Sequence, residues 1–123
     1  MQREEKESTV AKGKAYENLV AEYLLARGYQ IRERNFRCRF GEIDLIAQYE
    51  TSLFFIEVKG QSRKQQAEMK INLAKKTKIE RSSIEYIRQH QLWDLSIHYD
   101  VAIVTGEQIT YYQNAFEGKG DWL

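Results

Sequence analysis

The stretch from Gly41 to Gly60, GEIDLIAQYETSLFFIEVKG, decides the fold. It reads as two β-strands joined by a short polar loop, Gln48 to Ser52. The first, Glu42 to Ala47, ends in the apolar run Leu45-Ile46-Ala47. The second, Leu53 to Lys59, is Leu-Phe-Phe-Ile followed abruptly by Glu-Val-Lys. Side chains alternate faces along a strand, so Glu42 and Asp44 share one face, and Glu57 and Lys59 share another. The unbroken run Leu53 to Ile56 predicts a strand covered on both sides. A carboxylate and an ammonium at the end of such a strand are costly to desolvate unless something compensates them. A hairpin that sets Asp44 beside Glu57 brings two like charges to a half-buried spot, and that arrangement calls for a cation.

Two readings of this spot stand side by side. In one, Lys59 neutralises Glu57 or Asp44 as a cross-strand ion pair that contributes little. In the other, the carboxylates hold Mg²⁺ or Mn²⁺ with the lysine beside it. The constellation as a whole resembles the core of the PD-(D/E)XK nuclease superfamily. Ile43-Asp44 stands where that superfamily has Pro-Asp, and Glu57-Val58-Lys59 matches its E-x-K. The GEIDLIA and FIEVKG segments, with a glutamate on a preceding helix, look like the YraN-like bacterial proteins, which are compared with archaeal Holliday junction resolvases. The chain departs from them at Gly60-Gln61, where Thr-Arg is common.

The resemblance implies a site. Asp44 and Glu57 would bind the metal, the Val58 backbone carbonyl would complete the inner shell, and Glu17 would contribute directly or through water. Lys59 would orient the attacking water or offset charge at phosphorus. The implied substrate is DNA, branched or single-stranded, and the implied assembly is a homodimer.

Composition bounds the rest. A chain of 123 residues, 42% hydrophobic and 12% aromatic, is long enough for one domain with one core. No run approaches a membrane span and the first ten residues lack the apolar centre of a signal peptide, so the expected location is cytoplasmic, with no membrane partner. The single cysteine, Cys38, excludes an internal disulfide, and His90 and His98 are too few and too badly spaced for a zinc site. Net charge is only +1, yet it is unevenly distributed. Ile31 to Arg39 is net +3 and Lys59 to Arg81 net +6, with Glu42, Asp44, Glu50 and Glu57 in between. Two basic stretches around an acidic centre suit a metal site within a phosphate-binding surface, and equally suit a solvated face.

Taken in order, the chain begins with a flexible 1–9 segment. A helix then runs from Val10 to Arg27, with Ser8 or Thr9 as N-cap and Gly28 as its stop. Tyr16, Leu19, Val20, Tyr23 and Leu24 form its apolar stripe, and Glu17 flanks it, free to pair with Lys14 or to serve as the third acid. Tyr29 to Arg39 reads as a strand entering an arginine-rich turn. Arg34, Arg37 and Arg39 around Phe36 suit phosphate contact with base stacking, or else Phe36 is core and the arginines guard a sheet edge. Cys38 reads as incidental. Gly60 to Lys70 is a Gln-rich loop in which Gln61 is a candidate to position a water or a phosphate.

A second helix spans Ile71 to Gln91, with Ile79, Ser83, Tyr86, Ile87 and His90 on one face. Lys75, Lys76 and Lys78 form either a phosphate anchor or a solvated basic face. Strands follow at Ser96 to Val104 and Gln108 to Tyr112 around a Gly106 turn, with Asp100 in a structural role and Trp122 packing on the core or on another subunit. The sum is one α/β domain over 1–123, a mixed central sheet of about five strands flanked by helices, restriction-endonuclease-like. The expected function is metal-dependent hydrolysis of DNA phosphodiester bonds. The alternative is a non-catalytic nucleic-acid- or partner-binding module on the same fold.

Overall fold

The computed structural model describes residues 2–62 and 71–119. Seven elements follow one another: α1 (Gln2–Ala26), β1 (Gln30–Cys38), β2 (Gly41–Tyr49), β3 (Ser52–Gln61), α2 (Leu73–His90), β4 (Ser96–Thr105) and β5 (Gln108–Phe116). The strands form one sheet in the order β1-β2-β3-β4-β5. All pairs are antiparallel except β3–β4, which run parallel. A parallel pair needs a crossover, and α2 lies within it. The result is the α/β domain expected from the sequence, consistent with a restriction-endonuclease-like core.

Each helix covers one face of the sheet. Val20, Ala21 and Leu24 of α1 pack on Leu45, Ala47, Ile56, Ala102 and Val104. Ile79, Tyr86 and Ile87 of α2 pack on Phe36, Ile43, Ile46, Leu53 and Phe55. The apolar run of β3 is thereby divided, with Leu53 and Phe55 under α2, and Phe54 and Ile56 under α1. Double coverage is what an unbroken apolar run requires.

The helix ends follow local chemistry. α1 stops at Gly28, whose φ of 89° lets Tyr29 N–H reach the Leu24 carbonyl and Gly28 N–H reach that of Leu25. Its start lies at Gln2, upstream of the Val10 expected from the sequence. The Gln, Arg, Glu and Lys residues there are strong helix formers, so Ser8 and Thr9 lie within the helix instead of capping it. α2 begins at Leu73 because the Asn72 side chain accepts the Lys75 N–H at 2.8 Å.

Three strands run longer than expected. β2 and β3 pair out to Tyr49↔Ser52, leaving a two-residue turn where a five-residue loop was expected. Gln48 is held there by Arg32 at 2.8 Å and by the Glu50 carbonyl at 2.9 Å. β3 continues through Gly60 and Gln61, which pair with Val104 and Thr105 instead of opening the Gln-rich loop. The rest of that loop, 63–70, and Trp122 lie outside the described residues. β5 continues to Phe116 across a register shift beside Asp100. There the buried Asp100 carboxylate takes the Asn114 N–H at 2.8 Å and the Tyr111 hydroxyl at 2.6 Å, the structural role expected of it.

Gly60 sits under the ring of Tyr16, and a Cβ at Gly60 would overlap that ring. This contact seats α1 on the end of β3. Gly60→Ala should therefore cost about 1–3 kcal/mol of stability, and adding Tyr16→Ala should recover part of that loss. Strictly additive losses in a denaturation double-mutant cycle would show that the two positions are not in this contact.

Candidate functional site

The site forms where β2 and β3 part. Their ladder ends at Leu45↔Ile56, although β3 stays paired with β4 as far as Gln61. The main-chain partner that β3 loses there is replaced by a side chain: Val58 N–H donates to Asp44 Oδ2 at 2.8 Å. The regular alternation of β2 also slips at this point, since Ile43 packs on the α2 side and Leu45 on the α1 side. β1 slips in the same place. Arg34 reaches Asn18 of α1, Phe36 packs under α2, and Asn35 between them adopts φ 53°.

Asp44 and Glu57 meet at this gap. Burial pushes the Asp44 carboxyl up to about 7, aided by the charge of Glu57 and a hydrogen bond between the two carboxyl groups. The Val58 N–H and the Lys75 ammonium oppose that rise. The Glu57 side chain is only 10% exposed, and Lys75 Nζ stands 3.3 Å from its Oε2 with the lysine half in solvent. A cleft of about 230 Å³ beside them is lined by Glu57, Lys59, Ile71, Asn72 and Lys75. Lys59 shares this side of β3 with Glu57, as strand alternation requires.

Glu17 lies in a second cleft, of about 340 Å³, with Lys12, Gly13, Tyr16, Val58 and Gly60. Its Oε1 accepts from Asn35 Nδ2 at 3.2 Å, so Asn35 takes the place of the Lys14 pairing left open by the sequence. Burial raises the Glu17 carboxyl, Asn35 lowers it, and the charge of Asp44 raises it further. Glu17 is thus within electrostatic reach of Asp44, on the α1 side of the gap. Among the described residues, no group of three or more His, Cys, Asp or Glu side chains forms a ready-made metal cage. The donor set nevertheless suits a hard dication, because Asp44 and Glu57 share a hydrogen bond where an ion could replace the proton.

The basic candidates divide. Lys75 is brought to the Glu57–Lys59 cleft, whereas Lys76 lies near the ring of Phe116, 5.8 Å from its centroid. The Lys78 stem packs near Gly41. Arg34 is held by Asn18 at 2.6 Å and Arg37 by Glu42 at 3.4 Å. Arg39 stacks on Phe40. Phe36, one of whose two readings was a stacking platform, is buried in the α2-side core. Gln61 has its Oε1 buried with no hydrogen-bond partner among the described residues. His90, placed by the sequence on one face of α2 with Tyr86, is exposed and stacks on the Tyr86 ring with centroids 4.1 Å apart.

Sequence reasoning missed Lys12, Asn35, Phe40 and Arg81. Lys12 could have been found one helical turn before Tyr16. Asn35 could have been found as a residue that tolerates φ > 0.

Comparison with known proteins adds the family. Residues 16–104 match the model of the uncharacterised protein family UPF0102. A UPF0102 protein of Sulfurihydrogenibium sp. (strain YO3AOP1) is 34% identical over 107 residues, covering 85% of this chain and 93% of its own length. One from Aeromonas hydrophila subsp. hydrophila is 37% identical over 113 residues, covering 89% and 87%. A third, from Campylobacter hominis, is 37% identical over 98 residues, covering 80% and 87%.

The raised Asp44 carboxyl has a consequence for stability. Between about 4, the unfolded value, and about 7, the native chain holds a proton that the unfolded chain has released. Stability therefore falls as pH rises through that window and levels off above it. In metal-free buffer, Asp44→Asn, which keeps an oxygen for Val58 N–H, should resist denaturant better than wild type at pH 8 and match it near pH 5. A wild-type-to-variant difference that does not change with pH would remove Asp44 as the titrating group.

Proposed function

The chain belongs to the UPF0102 family, and from the geometry of its carboxylate pair we propose that it is a metal-dependent DNA endonuclease. The observation that carries this reading is the meeting of Asp44 and Glu57 at the parting of β2 and β3, with Lys59 and Lys75 on the cleft beside them. The resemblance of Ile43-Asp44 and Glu57-Val58-Lys59 to the PD-(D/E)XK pattern supports it, and the likeness to resolvases points to branched DNA as the substrate class and a homodimer as the assembly. No helix among the described residues is long and apolar enough to cross a membrane.

Asp44 and Glu57 would hold Mg²⁺ or Mn²⁺ with the Val58 carbonyl, and Glu17 would contribute directly or through water from the α1 side. The ion supplies a lowered water pKa and neutralises charge on the scissile phosphate. The Val58 N–H fixes the Asp44 carboxylate, so its orientation is set before substrate arrives. Lys59, a compact ammonium on the face that Glu57 occupies, orients the attacking water or offsets the extra charge of the five-coordinate phosphorus. Lys75 balances Glu57 and, half in solvent, would serve as a phosphate anchor.

A second reading keeps the fold and the nucleic-acid surface without cleavage. It draws on the modest net charge of +1. A cleavage assay on four-way-junction, flap, single-stranded and linear DNA, with Mg²⁺, Mn²⁺ or EDTA, separates the two. The nuclease reading expects cutting that needs the metal and drops by about a hundredfold or more in Asp44→Ala and Lys59→Ala. DNA binding by the wild type with no cutting of any substrate would leave the binding module in its place.

A further inference from the structure

The helix that brings Lys75 to the carboxylate pair carries a row of cations away from it. Lys75, Lys78 and Arg81 follow one another at three-residue steps along α2, and all three are exposed. The row covers about 9 Å of helix. It ends against the β1–β2 turn, where the Arg39 guanidinium lies 4.7 Å and that of Arg81 5.1 Å from the Phe40 ring centroid. The turn can approach because residue 41 is glycine at φ 148°: a Cβ there would lie 3.4 Å from Lys78 Cβ and 3.5 Å from Ser82 Oγ. Phe40 is half-buried, and a small cleft of about 90 Å³ beside it is lined by Arg81, Ile84, Glu85 and Arg88.

We propose that Lys75, Lys78 and Arg81, with Arg39 and Phe40 of the turn, form the track along which a single DNA strand leaves the Asp44–Glu57 pair. This rests on the DNA reading above and says where the strand lies. A single file of cations matches the phosphates of one strand, and the guanidinium planes of Arg39 and Arg81 over the Phe40 ring extend a stacking surface toward an unpaired base that a duplex keeps stacked. The placement of the lysines also runs against the needs of the helix. The first turn of α2 holds no acid, and Lys75, Lys76 and Lys78 crowd its positive end. Glu57 offsets Lys75. A phosphate strand would offset the row. The other basic stretch is spread over separate partners, with Arg32 turned onto Tyr86 and Gln48, Arg34 onto Asn18, and Arg37 onto Glu42.

The test is fluorescence anisotropy with one labelled oligonucleotide as single-stranded DNA, as duplex DNA and as RNA, in EDTA, over a range of salt. Wild type should bind the single DNA strand most tightly. Lys78→Ala/Arg81→Ala should weaken it by about tenfold or more and flatten the log–log salt slope by about 1.4. Arg34→Ala/Arg37→Ala should change it by less than about twofold. Lys78→Glu should lose binding while melting no lower than wild type, which separates this role from a folding defect. Undiminished binding by the α2 variants, a loss carried by the β1 pair, or equal affinity for duplex or RNA would overturn the proposal. Because no metal is present, the result is independent of cleavage. Failure to cut with binding intact counts against the nuclease reading alone.

Discussion

One hydrogen bond fixes the carboxylate pair of this domain: the amide of Val58 given to the carboxylate of Asp44. A strand that leaves its neighbour inside a covered sheet strands its amides, and an unpaired buried amide costs about as much as a lost hydrogen bond. The chain meets that demand with an acid on the neighbouring strand. It uses the same device across the sheet, where Asp100 takes the Asn114 amide at the register shift between β4 and β5. The two sites differ in what else surrounds the carboxylate. Asp100 finds a neutral hydroxyl, that of Tyr111, and is closed off. Asp44 finds Glu57, and two acids in one gap are an unfinished arrangement that a cation can complete.

Much of this was legible in the sequence because the relevant patterns are short and local. The run Leu53 to Ile56 announced a doubly covered strand, the alternation after it put Glu57 and Lys59 on one side, and Gly28 marked the end of α1. The features that escaped depend on pairs distant in the chain. Nothing around Asn35 says that its amide will meet Glu17, because the meeting depends on the coincident slip of β1 and β2. Phe36 and Phe40 look alike in an arginine-rich segment, yet one is core and the other lies at a turn between guanidinium groups. Which arginines face outward is set by the acceptors nearby, and Asn18 and Gln48 become neighbours of β1 only in the fold.

The second helix serves two masters. Its inner side, Ile79, Tyr86 and Ile87, closes half the core. Its first turn is anchored by Asn72 and delivers Lys75 to the gap between the strands. The same cap therefore fixes both the entry of the helix and the position of the ammonium that meets Glu57. α1 has a matching pair of duties: it buries Val20, Ala21 and Leu24, and it sets Tyr16 over Gly60 and Glu17 beside Asn35.

The topology also bears on the order of assembly. β1–β2, β2–β3 and β4–β5 are each closed by a two-residue turn. β3 and β4 are joined only through the long excursion that contains α2. Closing a loop costs more entropy the longer it is, and non-local pairing is slow for that reason. The parallel seam is thus the costliest step of folding, and it is the seam that carries Glu57, Val58 and Lys59. The β1–β2–β3 meander holds Asp44 and Glu57 within itself, but the Lys75 partner of Glu57 comes only with α2, and Glu17 only with α1. A ligand that needed both the acids and Lys75 would bind only the finished domain, and its affinity would act as a latch on the step that entropy makes hardest.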